Sequence, residues 1–537
     1  MNPSVRDRSR PQQGAPIGRR AAAIFAGLVI GGLLASPAAA GPKLFVGVDD
    51  DVFLTDPAAA LPVTHDLGMT AVRVTNAWYP GKRQITPTDT AQLARLTTTG
   101  MRVVLTVYAR NPWLVPLNDY DRDQYCNYVG GILRNFPTIN DVVIWNEPNL
   151  SYFWRPQFNN DGSSAAPAAY EALLARCYDV LHAIRPGVNV IAPATCPRGS
   201  DIAWDPQNVS HSPGQFILGM GAAYRASGRQ RPIFDTVGHH IYGTFSAERP
   251  WRVHSNSTAI SEGDWGALMD ALSQAFGGTA QRIPGQCSRG SCVSIWYLEA
   301  GYQTTVDPAK ASFYMGVEPW QHLVPAVGGP PDPPAPAATS WAPDQATQIT
   351  DGLRLAYCQP YVEAFFNFLL QDEMDLAGWQ SGPLWADGTP KPSYPAFKAA
   401  IAEVNSRTVD CGSLKGNQAP AGAVGPSGQS PSAAARRPLR LLLVLSVRRK
   451  VLAGSGIRVW LRFNRIVKNE RVLLLRRRHK SFRVVLRRTV SGFTPTLKLW
   501  PVKPGRYKIR VAYQDESHYR FTRTKTVVVV RRTPPRS

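Results

Sequence analysis

Val142-Val143-Ile144-Trp145-Asn146-Glu147-Pro148-Asn149 is an apolar, β-branched run that breaks off in polar residues. A run without alternation reads as a strand covered on both faces, the condition of a parallel sheet. Similar runs recur on either side, at 44–49, 71–76, 102–108, 188–193, 234–241, 294–299 and 361–368, with 142–146 as the fourth of the series. Helix-like stretches separate them; in 169–184, Leu173, Leu174, Cys177, Leu181 and Ile184 repeat at helical spacing. Strand-then-helix units of this kind across residues 41–411 predict a (β/α)8 TIM barrel, enlarged beyond its usual ~250 residues by loop insertions. An open doubly wound sheet would need a Gly-rich phosphate turn after an early strand. The sequence there is Val48-Asp49-Asp50-Asp51, which is acidic.

The chain has 537 residues, enough for two to four domains at about 150 residues each. With 44% hydrophobic and 18% charged residues it can build a large core. The net charge of +22 is unevenly placed. Residues 431–537 hold 29 Lys and Arg against three acids, Glu470, Asp515 and Glu516. The remainder holds 31 basic and 35 acidic residues, a net of −4. A mildly acidic body is therefore joined to a strongly basic module.

Between them, residues 412–437 are rich in Gly, Pro, Ser and Ala and read as a linker. Beyond it, Ile457-Arg-Val-Trp-Leu-Arg-Phe463 and Tyr507-Lys-Ile-Arg-Val-Ala-Tyr513 alternate apolar with basic residues, and Lys503-Pro504-Gly505 supplies a turn. Seven such segments over 438–532 predict a small all-β, immunoglobulin-like or fibronectin-like sandwich. Charge of this density attracts polyanions: an anionic cell-wall polymer, acidic polysaccharide or lipid headgroups outside a cell, with no specific nucleic-acid motif present. A solvated spacer that binds nothing is the competing reading.

At the other end, Arg6, Arg8, Arg10, Arg19 and Arg20 precede an apolar run over 21–35, then Ser36-Pro37 and Ala38-Ala39-Ala40. That order is a secretory signal over 1–40. The run is too short to span a bilayer, so no transmembrane anchor is expected. A secreted or wall-associated monomer follows. Seven cysteines fit an oxidising compartment. Cys287 with Cys292, Cys126 with Cys177, and Cys358 with Cys411 are the expected pairs, leaving Cys196 single. Their spacing matches no zinc pattern, and neither metal nor cofactor is expected. The segment from Gly301 to Pro343, with Gly328-Gly329-Pro330-Pro331-Asp332-Pro333-Pro334, is a long insertion, read equally as a wall of a cleft or as a loose loop.

Two apolar strands end in a carboxylate: the fourth at Glu147, and the seventh, Ile295-Trp296-Tyr297-Leu298, at Glu299. The carboxyl rim is where barrels keep their chemistry, and a Glu inside a core is costly unless paired. Two carboxylates facing each other suit glycosidic bond cleavage, one protonated for the leaving oxygen and one ionised at the sugar carbon.

Asn146-Glu147-Pro148 ending one strand, with Glu299 ending the strand three units later, resembles clan A glycoside hydrolases of the family-five and family-thirty-nine types. The resemblance implies Glu147 as acid/base, Glu299 as nucleophile, and Asn146 on the sugar 2-hydroxyl. It further implies Arg73 beneath the nucleophile, Tyr242 in contact with it, and His240 lining the sugar site, from His240-Ile241-Tyr242. Residues 386–394 resemble the close of many such barrels and imply structure without chemistry. The eighth strand, Phe365-Phe366-Asn367-Phe368, lacks the tryptophan that often floors the first subsite, and Trp379 from the next loop is assigned that place.

Aromatic residues at the strand ends are candidate subsites: Trp78, Tyr108, Trp113, Trp145, Tyr152 and Trp154, with Trp154 the one assigned to substrate. Trp296 and Tyr297 read as core, and His239 as a structural histidine. The resulting expectation is a secreted retaining β-glycosidase acting on a polysaccharide or oligosaccharide. The alternative is a non-catalytic carbohydrate-binding or wall-adhesion protein.

Overall fold

A computed structural model of the chain describes residues 43–412 apart from 206–207, 256, 289–290, 320–322 and 330–343, together with 414. It also describes 443–530 apart from 448–449, 453–456, 464–466, 479–480, 493–495, 500–502 and 515–519. The expected secretory signal, nearly all of the linker, residues 320–322 and 330–343 of the Pro-rich insertion, and His479-Lys480 lie outside the described residues.

Eight parallel strands close into a barrel. They are β1 (Phe45–Asp49), β2 (Ala71–Ala77), β3 (Arg102–Tyr108), β4 (Asp141–Ile144), β5 (Asn189–Thr195), β6 (Thr236–His240), β7 (Ile295–Ala300) and β8 (Val362–Phe368). Each pairs with its sequence neighbour, and β8 closes on β1. Helices follow the strands, among them Asp119–Asn135, Ala166–Ile184, Pro213–Ala226 and Gln345–Cys358. No helix among the described residues is long and apolar enough to cross a membrane.

The barrel interior is filled by Ala71, Val104, Val143, Ile191, Trp296, Leu298, Ala364 and Phe366, which form one cluster. Space there is tight. A Cβ on Gly47 would meet the Phe366 ring at 2.5 Å and the Ala71 carbonyl at 2.7 Å, so β1 needs glycine at that point. A second, larger core lies between the strands and the helices.

Disulfides join Cys126 to Cys177, Cys287 to Cys292 and Cys358 to Cys411, while Cys196 is free. The insertion after β7 is tied to the loop after β8: Lys310 pairs with Asp387 at 2.7 Å and Tyr314 donates to Asp372 at 2.8 Å. Residues 386–394 serve this structure as well. Lys391 is buried 2.8 Å from Asp372 and also donates to Thr304.

The C-terminal strands are β9 (Leu443–Val447), β10 (Lys450–Leu452), β11 (Ile457–Phe463), β12 (Val467–Arg478), β13 (Ser481–Gly492), β14 (Thr496–Leu499), β15 (Gly505–Gln514) and β16 (Arg520–Val530). They form a three-stranded sheet, β9-β11-β14, and a five-stranded sheet, β10-β16-β15-β12-β13. Among the described residues eight strands stand where seven segments are expected. The extra one, β10, is three residues long and pairs parallel with β16, too short to show alternation in sequence.

Candidate active site

The fourth strand is shorter than its sequence suggests. Pairing stops at Ile144, and the backbone of Trp145 and Glu147 enters the left-handed region at φ 70° and 37°. Such conformations are costly for residues with a Cβ and gather where surrounding structure fixes a functional side chain. Here the Glu147 amide donates to the Ala194 carbonyl at 3.1 Å, anchoring the turn to β5.

A register shift does the equivalent work in β7. On the β6 side His239 faces Tyr297 but His240 faces Glu299, so Leu298 is bulged out of the ladder. A bulge lets consecutive residues leave the strict alternation of faces. Leu298 fills the barrel interior and Glu299, next in sequence, still reaches the site at its mouth.

There Arg73 of β2 is the organising group. It is buried; its Nη1 lies 2.7 Å from Glu299 Oε1 and also pairs with Asp49. Its Nη2 donates to Asn146 Oδ1 at 2.7 Å and its Nε to Thr106 at 2.8 Å. One planar guanidinium thereby fixes both strand-end residues, Asn146 and Glu299. Tyr242 donates to Glu299 Oε2 at 3.0 Å. His240 Nδ1 lies 2.9 Å from Glu147 Oε1 and 3.3 Å from Glu299 Oε2.

One oxygen from each glutamate and one His240 nitrogen lie within 4.8 Å of one another. These three are also the residues that offer metal-type donors. Arg73 stands on the other oxygen of Glu299, with Nη1 2.7 Å from Oε1, so a positive charge already faces that carboxylate.

Burial pushes the Glu147 carboxyl up to about 7, opposed by a hydrogen bond from Cys196 and the charges of Arg198 and Arg73. Burial pulls His240 down to about 3, so the ring is neutral at ordinary pH. With Nδ1 facing two carboxylates, the proton belongs on Nδ1; Nε2 has no hydrogen-bond partner among the described residues. Burial raises the Tyr242 phenol, with Glu299 adding to the effect. Asp49 is raised by burial, against the pull of Arg73.

Arg73, Asn146, Glu147, His240, Tyr242 and Glu299 come together in one connected cluster. Trp379 joins them from the loop after β8, half-buried, its ring 4.8 Å from that of Tyr242 and 5.6 Å from that of Phe368. Trp154 does not. It is wholly buried, edge-on to Trp145 at 5.2 Å and to Tyr170 at 5.6 Å, so the expected substrate contact is corrected to core packing. After Glu147 the chain forms tight turns, in which the Leu150 amide donates to the Glu147 carbonyl and the Trp154 amide to the Leu150 carbonyl, both at 2.9 Å, and the indole is carried into the core. Trp78 and Trp145 are buried in the same way, Tyr108 is half-buried, and Trp113 and Tyr152 are exposed. Trp296 and Tyr297 are core, and His239 is satisfied by Thr195 and the Ile260 carbonyl.

Three site residues escaped the sequence reading. Asp49, behind Arg73, is an acid closing the apolar run of β1, the same signal that marks Glu147 and Glu299. Cys196 was visible only as a cysteine without a partner. Asn149 holds it in place: its side chain accepts from the Cys196 amide at 2.9 Å and donates to the Cys196 carbonyl at 3.1 Å. No local pattern announces that clamp.

No family model and no curated protein matches the chain. Among solved structures, a calcium-binding mutant of Bacteroides uniformis β-glucuronidase 2 is similar at 13% identity and a TM-score of 0.37, over 91% of this chain and 45% of that one. This chain thus spans less than half the length of that protein. CelM2, a bifunctional glucanase-xylanase from a metagenome library, is similar at 10% identity and a TM-score of 0.38, over 86% of this chain and 95% of that one. A Paenibacillus polymyxa xyloglucanase of family 44 is similar at 10% identity and a TM-score of 0.36, over the same shares.

Proposed function

We propose that the chain is a secreted retaining β-glycosidase, with Glu147 as acid/base and Glu299 as nucleophile. The observation that carries this reading is that one buried imidazole nitrogen meets both carboxylates, 2.9 Å from Glu147 Oε1 and 3.3 Å from Glu299 Oε2, so that one oxygen of each lies within 4.8 Å of the other. Retaining enzymes hold their carboxyl groups at about 5–5.5 Å, whereas inverting ones leave roughly 6.5–9.5 Å for a water. The close approach also argues against a groove that only binds.

The chemistry follows from the partners of each group. In the first step a Glu299 oxygen attacks the anomeric carbon, and Glu147 gives its proton to the departing glycosidic oxygen as the C–O bond breaks. The buried, proton-holding character of Glu147 supports that part. Arg73 and Tyr242 keep both Glu299 oxygens aimed by donating one hydrogen bond to each. In the second step Glu147 takes a proton from water; the water oxygen bonds to the anomeric carbon and the Glu299 ester breaks. The neutral His240 bridges the glutamates without adding charge, and Asn146, oriented by Arg73, faces the sugar 2-hydroxyl. Trp379 with Tyr242 forms the floor for the sugar ring. No metal or cofactor takes part in this scheme.

In this reading residues 1–40 are removed on export, 41–411 form the hydrolase, 412–437 are a tether, and 438–532 form an immunoglobulin-like module. The test is a panel of aryl β-glycosides with the parent, Glu299→Ala and Glu147→Ala. Turnover should vanish in Glu299→Ala. Azide should partly restore Glu147→Ala on activated substrates and yield a β-glycosyl azide. Equal activity in all three proteins ends the enzymatic reading.

A further inference from the structure

We infer that the outer face of the five-stranded C-terminal sheet is a binding surface for an acidic polysaccharide. The register defines this face. Along β15, Tyr507, Ile509 and Val511 are buried, while Arg506 and Arg510 are exposed and Lys508 is half-buried. Alternation therefore puts three cations in a row on one side, about 7 Å apart. Leu473 of β12 stands opposite both Arg510 of β15 and Arg487 of β13. Residues directly opposed in an antiparallel pair share a face, so exposed Arg487 joins the row from two strands away, roughly 10 Å from Arg510. Arg477, exposed near the end of β12, adds a fifth positive charge to this side. Thr524 and Thr526 of β16, exposed opposite Arg510 and Lys508, border it with hydroxyl groups.

Three acids among residues 431–537 cannot neutralise 29 cations, so the face keeps a strong positive potential. Its geometry favours one class of polyanion. Binders of single-stranded nucleic acid rely on open aromatic platforms for the bases. Among the described residues the aromatic ring on this side is Phe482, and the Lys508 ammonium lies over it at 4.5 Å. Rows of guanidinium groups with neighbouring hydroxyls suit carboxylate, sulfate or phosphate groups on a sugar chain instead. The preference for a polysaccharide also rests on the glycosidase reading of the barrel, since one acidic glycan can then engage both parts of the chain.

The experiment uses the full chain, with polygalacturonate, neutral dextran and oligo-dT as probes, at 50 and 200 mM salt. Five contacts at about 0.7 per charge predict roughly a 100-fold loss of polygalacturonate affinity across that range. The variant Arg487→Gln/Arg506→Gln/Arg510→Gln should lose less than about 10-fold across the same range, from a weaker start. The corresponding triple Lys variant should stay within a few-fold of the parent. Unchanged binding by the Gln variant, equal loss in the Lys variant, equal retention on dextran, or tighter binding to oligo-dT each overturns the proposal. Aryl-glycoside turnover, measured alongside, reports on the barrel alone, so a failed glycosidase assay and a failed binding surface remain distinct results.

Discussion

Replacing Glu147 by Gln should make the protein more resistant to unfolding at alkaline pH than at acid pH, relative to the parent. The carboxyl is buried at the barrel mouth and raised from its ordinary 4.5 to about 7. That gap corresponds to about 3 kcal/mol. Below pH 4.5 the group is protonated in both folded and unfolded chains, and the parent has its full stability. As pH rises towards 7 the unfolded chain releases the proton freely while the folded chain must ionise a buried group, so stability is lost. Above 7 the loss is complete. The Gln side chain has no such cost, and the variant should gain about 3 kcal/mol on the parent between pH 4 and 8. At about 2 °C per kcal/mol this is a relative rise of roughly 6 °C in Tm. The neighbours that face Glu147 are His240, Cys196, Arg198, Arg73, Glu299 and Tyr242; they are present in both proteins and largely cancel. Thermal melts of the two proteins at several pH values measure the effect. Parallel Tm–pH curves would refute the argument, as would an alkaline limb of the parent's kcat/KM lying far from 7.

Arg73→Met should destabilise the protein by about 3–5 kcal/mol, because Asp49 and Glu299 lose their buried counter-charge. Arg73→Lys should keep more stability yet lose at least about 100-fold in kcat/KM, since one ammonium cannot hold Thr106, Asn146 and Glu299 in a fixed fork; denaturant melts and aryl-glycoside kinetics would show both. Cys196→Ala removes a weak donor to Glu147 and should move the alkaline limb of kcat/KM upward by about half a pH unit. Trp154→Ala should cost about 3–5 kcal/mol in unfolding experiments and leave KM nearly unchanged, whereas Trp379→Ala should raise KM with little change in stability.

Much of the architecture was legible because burial on both faces leaves a plain mark. The runs ending at Asp49, Tyr108 and Phe368 match their strands closely. Prediction was weaker where the backbone leaves regular geometry. The fourth strand stops two residues early because Trp145 and Glu147 take left-handed conformations, which no periodicity records. For the same reason the bulge at Leu298 was invisible, although it decides that Glu299 reaches the site. Trp154 misled because an aromatic residue near a strand end looks alike whether its ring faces a substrate or a core.

The linear chain by itself determined which chemistry was available: carboxylates at the ends of apolar strands, an arginine inside another, and a surplus of cations confined to the last hundred residues. Strand order and alternation settle such matters because they depend on residues near one another along the backbone. Tertiary structure alone decided how that chemistry is tuned. Bringing Glu147, His240 and Glu299 within 4.8 Å requires β4 to β7 to pair side by side, which gathers residues far apart along the chain at one end of the sheet. Desolvation is a property of everything packed around a group, and it, more than any neighbour in sequence, sets the proton affinity of Glu147 and keeps His240 neutral.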